Sequence, residues 1–95
     1  MATSTQIKRF LENWQDEIES AYLYRSLASA EPQPSLAEVY RRLAQAEEDH
    51  ARVWEDKLIE VGHRVPQRRI GWRTRTLVIL ARRFGAQFVL PTVNA

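Results

Sequence analysis

The sequence predicts an all-α protein in which two long helices fold back on each other. Residues 5–30 contain neither Gly nor Pro, and their apolar side chains recur at steps of three and four. Residues 35–61 repeat this pattern after a short linker with Pro32 and Pro34, and proline disfavours helical geometry in the residue before it. Two long helices joined by so short a linker are expected to form an antiparallel hairpin.

The ends of the second helix are marked in the sequence. We expect it to begin at Ser35, because Glu38 three residues later completes a Ser-x-x-Glu capping box. Gly62 is a suitable C-terminal stop. The apolar positions that define the hairpin are Ile7, Phe10, Leu11, Trp14, Ile18 and Ala21 in the first helix, and Leu36, Val39, Tyr40, Leu43, Val53, Trp54, Leu58 and Val61 in the second.

A shorter third helix is predicted after an Arg-rich linker that contains Pro66. It covers residues 71–84, although the run 77–80 alone would equally suit a strand. The chain therefore divides into a helical hairpin at residues 1–62 and a segment at 63–95 with the basic linker, the short helix and an apolar tail. The positions expected to be buried in the third helix are Trp72, Thr76, Leu77, Ile79, Leu80 and Phe84.

Charge is divided unevenly along the 95 residues. Up to Gly62 there are 7 Lys and Arg against 12 Asp and Glu, whereas from His63 onward there are 7 Arg and no acid. A basic tail of this kind suits nucleic acid, anionic lipid or an acidic face of its own or a neighbouring subunit. Because a small domain without cysteine has no disulfides, a metal or a partner chain is the expected source of added stability.

Several classes of protein have no support in the sequence. The longest apolar run, residues 77–81, is far shorter than the roughly 20 residues that span a bilayer. The polar opening residues do not resemble a signal peptide, and the lack of cysteine suits a reducing compartment, so we expect a cytoplasmic protein. There is no Gly-rich phosphate loop, and neither histidine forms a nucleophilic motif with Ser.

Three ionisable residues occupy helix positions that should be part of the core. Glu47 and His50 continue the apolar stripe of the second helix, and Glu17 continues that of the first. Burying an unpaired carboxylate is costly, so these groups should share a compensating partner. Glu17 and Glu47 are each 15 residues from Pro32, about 22 Å along either helix, which places them at one level of the hairpin.

Two carboxylates and one imidazole make half of a carboxylate-bridged di-metal centre. Such a centre typically takes a Glu from each of two helices and Glu-x-x-His from each of two more. Two copies of this chain related by a twofold axis would close a four-helix bundle around four Glu and two His. The sequence thus predicts that Glu17, Glu47 and His50 are metal ligands and that a homodimer is required.

The roles of the neighbouring polar residues are less specific. Tyr24, two turns further along the first helix, suits either a position beside the metal ligands or a core position. Asp16 and Glu19 are expected on a solvated helix face, with metal uptake or a secondary metal ion as the alternative. Glu48 and Asp49 are expected to face solvent.

These residues resemble the ferritin-like proteins of the rubrerythrin group, in the run Asp-Glu-Ile-Glu-Ser-Ala-Tyr-Leu-Tyr of the first helix and Glu-Glu-Asp-His-Ala of the second. The thirty-residue interval between Glu17 and Glu47 is similar to that of encapsulated ferritins, which are two-helix half-bundles that dimerise around a di-iron ferroxidase centre. The tail, Leu80-Ala81-Arg82-Arg83-Phe84-Gly85 followed by Val89-Leu90-Pro91, is more similar to the ferritin-like domain fused to vacuolar-iron-transporter-type membrane proteins.

The resemblance implies a ferritin-like hairpin whose dimer binds two iron ions, with ring oligomers as a larger assembly. It also implies a membrane iron transporter or an encapsulin compartment as a partner, and therefore a membrane-proximal or enclosed location. The residues to which it gives roles are Glu17, Glu47 and His50 as catalytic iron ligands, Glu47 being the bridge, Tyr24 near the metals, and Asp16 and Glu19 in metal uptake.

The predicted function is oxidation of Fe²⁺ to Fe³⁺ by dioxygen at the dimer interface, for iron storage or delivery. Two other classes stay open. One is a non-enzymatic metal-binding or sensing domain of an iron transporter, which would bind metal without oxidising it. The other is a structural helical hairpin whose basic tail binds nucleic acid or lipid, with nucleic acid the less favoured partner; its binding would weaken steeply with salt.

Overall fold

The computed structural model describes residues 2–89, apart from the side chain of Phe88, and these residues contain three α-helices and no strand. The helices are α1 (Ser4–Ala30), α2 (Pro34–Glu60) and α3 (Trp72–Phe84), and a short 3-10 helix follows at Ala86–Phe88. The predicted all-α class is confirmed, and the strand alternative for residues 77–80 is wrong. Within the described range, no helix has the length and apolar character needed to cross a membrane. Leu90 and Pro91, which carry part of the resemblance in the tail, lie outside the described residues.

A capping box closes the start of α1. Thr3 Oγ1 accepts a hydrogen bond from the Gln6 amide at 3.1 Å, and the Thr3 amide donates to Gln6 Oε1 at 2.8 Å. The helix then continues to Ala30 and ends before Pro32, where the sequence places its end.

The start of α2 differs from the prediction. The helix begins at Pro34, whose fixed φ and missing N–H suit the first turn of a helix, and Gln33 precedes it without a side-chain cap. Ser35 therefore lies inside the helix rather than at its cap. Glu38 pairs with two arginines one turn further along, Arg41 and Arg42, instead of closing a capping box.

The end of α2 agrees with the prediction. Gly62 has a φ of 77°, a conformation that side chains with a Cβ rarely adopt. Its amide donates to the Ile59 carbonyl at 2.9 Å, and the His63 amide donates to the Leu58 carbonyl, also at 2.9 Å. This pair of hydrogen bonds is the Schellman arrangement that terminates a helix at glycine.

α1 and α2 pack antiparallel and bury two groups of apolar side chains. One group, nearer the Pro32 turn, includes Tyr24 and Tyr40; the other contains Trp14, Ile18 and Ala51. Along α2, Glu47 falls between the two groups, whereas along α1 Glu17 lies within the second group, between Trp14 and Ile18. The hairpin therefore holds both carboxylates at one level, beside the apolar group that contains Trp14.

α3 packs on α1 with a different face from the one predicted. Its buried residues are Val78 and Ala81, which join the apolar group around Tyr24. Because residues 77–80 are all apolar, their spacing does not select one face of the helix. Of the positions predicted to be buried, Leu77 is partly buried, and the exposed ones are Trp72, Thr76, Ile79, Leu80 and Phe84.

Candidate metal centre

Glu17, Glu47 and His50 meet midway along α1 and α2. His50 Nδ1 lies 3.5 Å from Glu17 Oε2 and 3.7 Å from Glu47 Oε1. One potential ligand atom from each of the three residues lies within 4.8 Å of the other two, and in the described part of the chain this is the one such group of three or more. The predicted convergence of these side chains is confirmed, whereas their role as metal ligands stays a prediction.

The two carboxylates are largely withdrawn from water. The side chains of Glu17 and Glu47 are 23% and 25% exposed. Glu17 Oε2 is the one buried side-chain nitrogen or oxygen in residues 2–89 that has no hydrogen-bond partner. A buried polar atom left unpaired is destabilising, so Glu17 Oε2 is placed to accept a cation or a hydrogen-bond donor.

The electrostatics of the pair are unusual for glutamates. Burial, followed by the adjacent Glu17 carboxylate, raises the pKa of Glu47 from 4.5 to about 7, while the charge of His50 acts in the opposite direction. A proton can therefore occupy Glu47 near neutral pH when no cation is bound. A metal ion would replace that proton and compensate both carboxylates.

His50 lies on an exposed apolar stripe of α2, which corrects its predicted core position. The stripe consists of residues spaced four, three, four and three apart, so they share one helix face. α1 covers only the adjacent face of α2, which is why Val39, Leu43 and Val53 are exposed in the single chain although their spacing predicts burial. We call this set the open stripe: Val39, Leu43, Ala46, His50 and Val53.

Tyr24 lies in the apolar group nearer the turn and is buried. Burial raises the pKa of its hydroxyl, and the charge of Glu47 raises it further. Tyr24 is thus a core residue within electrostatic reach of Glu47, and its predicted role beside metal ligands stays a prediction.

Asp16 and Glu19 are not part of the three-residue group. Asp16 is exposed, and loss of hydration, followed by the charges of nearby glutamates, raises its pKa. Glu19 Oε1 accepts hydrogen bonds from the Gly71 amide at 2.8 Å and from the Thr74 hydroxyl at 3.1 Å. Glu19 therefore connects α1 to the start of α3, and the predicted metal-uptake role of both acids stays a prediction.

A second polar cluster was not anticipated from the sequence. Arg68 forms ion pairs with Glu48 and with Glu55, and Glu55 Oε2 also accepts a hydrogen bond from the Trp14 indole at 2.8 Å. The prediction that Glu48 faces solvent is wrong, because its carboxylate is held by an arginine from the linker. No spacing rule links residues 20 positions apart across an irregular segment, so the sequence offered no signal for this contact.

The ligand types decide which ions suit the site. Carboxylate oxygens with an imidazole nitrogen suit iron, manganese and zinc. Two ligand atoms of one ion at about 2.1 Å each lie no more than about 4.2 Å apart, and the separations of 3.5 and 3.7 Å fall within that limit. The donor types therefore suit a divalent ion, and the separations of His50 from each carboxylate are short enough for one ion to bind both groups of either pair.

No protein-family model matches this sequence, and the comparisons with curated proteins and with solved structures find no match. The class of protein is therefore set by the fold and the site: an all-α hairpin with a carboxylate and imidazole cluster at its centre.

Proposed function

We propose that this protein oxidises Fe²⁺ to Fe³⁺ with dioxygen at a di-iron centre between two copies of the chain. The observation that carries the proposal is the convergence of Glu17, Glu47 and His50 within 4.8 Å. One chain offers one Glu and one Glu-x-x-His, which is half of the ligand set of a di-iron carboxylate bundle. Two chains supply four Glu and two His.

The open stripe supports a dimer at this position. An exposed apolar face that includes His50 favours burial against a partner, and a repeat of four and three residues suits helix packing. A twofold axis beside His50 pairs the open stripes of two chains and brings their ligand clusters together. The product is a four-helix bundle that encloses the metals.

The ligands also suit the chemistry. Carboxylates stabilise Fe³⁺ relative to Fe²⁺, so a site with four of them favours oxidation. Two Fe²⁺ substrates give up one electron each, and dioxygen accepts both electrons and two protons to leave as hydrogen peroxide. Glu47, with its pKa near 7, releases a proton when iron binds. Tyr24 lies close enough to influence the charge at the centre.

The resemblance to ferritin-like proteins of the rubrerythrin group adds to this proposal. It suggests a role in iron storage or delivery, with a membrane iron transporter or an encapsulin compartment as the partner that receives Fe³⁺; the cytoplasm is the location that the cysteine-free sequence suits. A ring of dimers is the larger assembly that the resemblance suggests.

The test is oxygen-dependent iron oxidation by purified protein. Fe²⁺ is added without oxygen, air-saturated buffer is mixed in, and the ferric absorbance and oxygen consumption are followed with time. Glu47→Gln and His50→Ala should abolish the protein-dependent rate. Asp56→Asn, an exposed acid on α2, and His63→Ala, the other histidine, are matched controls and should retain it.

Equal rates in the ligand variants and the controls would contradict the proposal. Stoichiometric binding of Zn²⁺ or Mn²⁺ that depends on the three ligands, without iron oxidation, would instead identify a metal-binding or sensing module.

A further inference from the structure

The outer face of α3 exposes large apolar side chains. Trp72 is 72% exposed and Ile79 is 63% exposed, and Leu80 is also exposed. At 100° per residue, Trp72, Ile79 and Leu80 lie on the side of α3 opposite the buried Val78 and Ala81. The helix is therefore held on α1 by one face and leaves a second apolar face without cover in residues 2–89.

Arginines flank this face, and at 100° per residue Arg83 lies within it, between Ile79 and Leu80 around the helix. Arg73, Arg75, Arg82 and Arg83 are all exposed, and none of them forms an ion pair with an acid of the described chain. From His63 onward the sequence contains seven Arg and no acid. Arg73 stacks on the Trp72 ring with its guanidinium carbon 5.4 Å from the ring centre. The surface thus combines large apolar side chains with uncompensated positive charge.

We propose that the outer face of α3 binds the surface of an anionic lipid bilayer, with the helix lying parallel to the membrane plane. Apolar side chains on such a helix enter the boundary between headgroups and acyl chains, while arginines reach the lipid phosphates. Tryptophan favours this boundary. With 13 residues α3 is about 20 Å long, too short to span a hydrocarbon core of about 30 Å.

A second copy of the chain is a less suitable occupant of this face. A twofold contact between two outer faces would bring the arginines of one α3 against those of the other, and like charges at an interface are repulsive. Nucleic acid is also less suitable, because binding to phosphates gives no reason to expose Ile79 and Leu80. Anionic lipid satisfies both the charge and the apolar surface.

The experiment measures co-sedimentation of the full chain with vesicles. One set is phosphatidylcholine alone, and the other contains about one quarter phosphatidylglycerol. We expect binding to the anionic vesicles at low salt and roughly tenfold or greater loss of binding near 1 M salt, where the Debye length falls to about 3 Å. Emission from Trp72 should shift to shorter wavelength on binding, because the buried Trp14 and the half-buried Trp54 are already shielded.

Matched variants separate this face from general charge effects. Ile79→Glu and Ile59→Glu make the same chemical change at sites that are 63% and 64% exposed, but Ile59 lies on α2. We expect Ile79→Glu to weaken vesicle binding by roughly tenfold or more and Ile59→Glu to leave it nearly unchanged. Circular dichroism checks that both variants fold. Both retain Glu17, Glu47 and His50, so iron oxidation reports independently on the proposed function.

Equal binding of the two variants would overturn the proposal, as would equal binding to neutral and anionic vesicles. The proposal would also fail if wild-type protein did not bind vesicles and Ile79→Glu changed the oligomeric state. A second copy of the chain would then be the occupant of this face. Salt-sensitive binding to duplex DNA without vesicle binding would assign the face to nucleic acid instead.

Discussion

Glu47 and Glu17 hold two partly buried carboxyl groups side by side. The free energy of this pair depends on whether a proton or a cation compensates its negative charge. The pKa of Glu47 rises from 4.5 to about 7 because of burial first and the Glu17 carboxylate second. A carboxyl with a raised pKa in the folded state stabilises the fold fully below its unfolded pKa. That contribution is lost as pH rises through the folded pKa.

Metal-free protein should therefore lose stability between about pH 4.5 and pH 7 through this group. Glu47→Gln resembles the protonated side chain at every pH. The unfolding free energy of Glu47→Gln minus that of wild type should therefore be larger at pH 8.5 than at pH 5, by on the order of 1 to 2 kcal/mol. Urea unfolding with a chelator measures this difference. Glu60→Gln, at an exposed position of α2, is the control, and a pH-independent difference for Glu47→Gln would refute the interpretation.

The same proton should oppose metal binding. Because an ion must displace it from Glu47, affinity for Zn²⁺ should be about tenfold weaker at pH 6 than at pH 8. Isothermal titration in two buffers of different ionisation heat would also detect proton release at pH 6. Binding with the same affinity and no proton release at both pH values would show that Glu47 is not a ligand.

At the scale of the helices, the regular parts of the fold could be predicted and the contacts of the irregular part could not. The period of three and four residues located α1 and α2, and Gly62 located the end of α2. The start of α2 was misplaced because Pro34 and Ser35 are both good first-turn residues. The buried face of α3 was misassigned because its apolar run surrounds the helix, so only the contact with α1 selects Val78 and Ala81.

The site shows the same division. The equal number of residues from Pro32 to Glu17 and to Glu47 was enough to predict that Glu17, Glu47 and His50 meet. A regular helix has a fixed rise per residue, so the number of residues gives the distance from the turn. Exposure of His50 was missed, since an apolar stripe does not reveal whether its partner is in the same chain. The contact of Arg68 with Glu48 was missed for the different reason that an irregular linker has no period.

Glu19 should contribute to the docking of α3. Glu19→Ala removes the acceptor for the Gly71 amide and the Thr74 hydroxyl, so we expect a loss of about 1 kcal/mol in unfolding free energy. Hydrogen exchange should become faster at the first turn of α3 and stay unchanged in the middle of α2. Glu19→Gln keeps an acceptor oxygen, and Asp16→Asn changes an acid outside this contact, so both should have small effects. Unchanged exchange at Gly71 in Glu19→Ala would contradict the assignment.

At the scale of the whole molecule, the open stripe links assembly to activity. Val39→Glu places a charge on the stripe two helical turns from Glu47, where it does not touch the ligands. We expect it to weaken the dimer by roughly tenfold or more and to lower iron oxidation in parallel at low protein concentration. Sedimentation velocity with and without metal measures the first effect. Ile59→Glu lies off the stripe and should remain dimeric and active.

A rate of iron oxidation that did not depend on dimerisation would contradict this prediction. If monomeric Val39→Glu protein oxidised Fe²⁺ at the wild-type rate at every concentration, a single chain would contain the complete centre. The dimer would then have no catalytic role.

The most direct test of the central claim is a crystal structure of protein loaded with Fe²⁺ without oxygen, with anomalous scattering measured on both sides of the iron edge. Our account predicts two iron peaks related by a twofold axis next to the open stripes, each bound by Glu17, Glu47 and His50 and bridged by glutamates of both chains. Iron bound away from these residues, or a site completed within one chain, would contradict it.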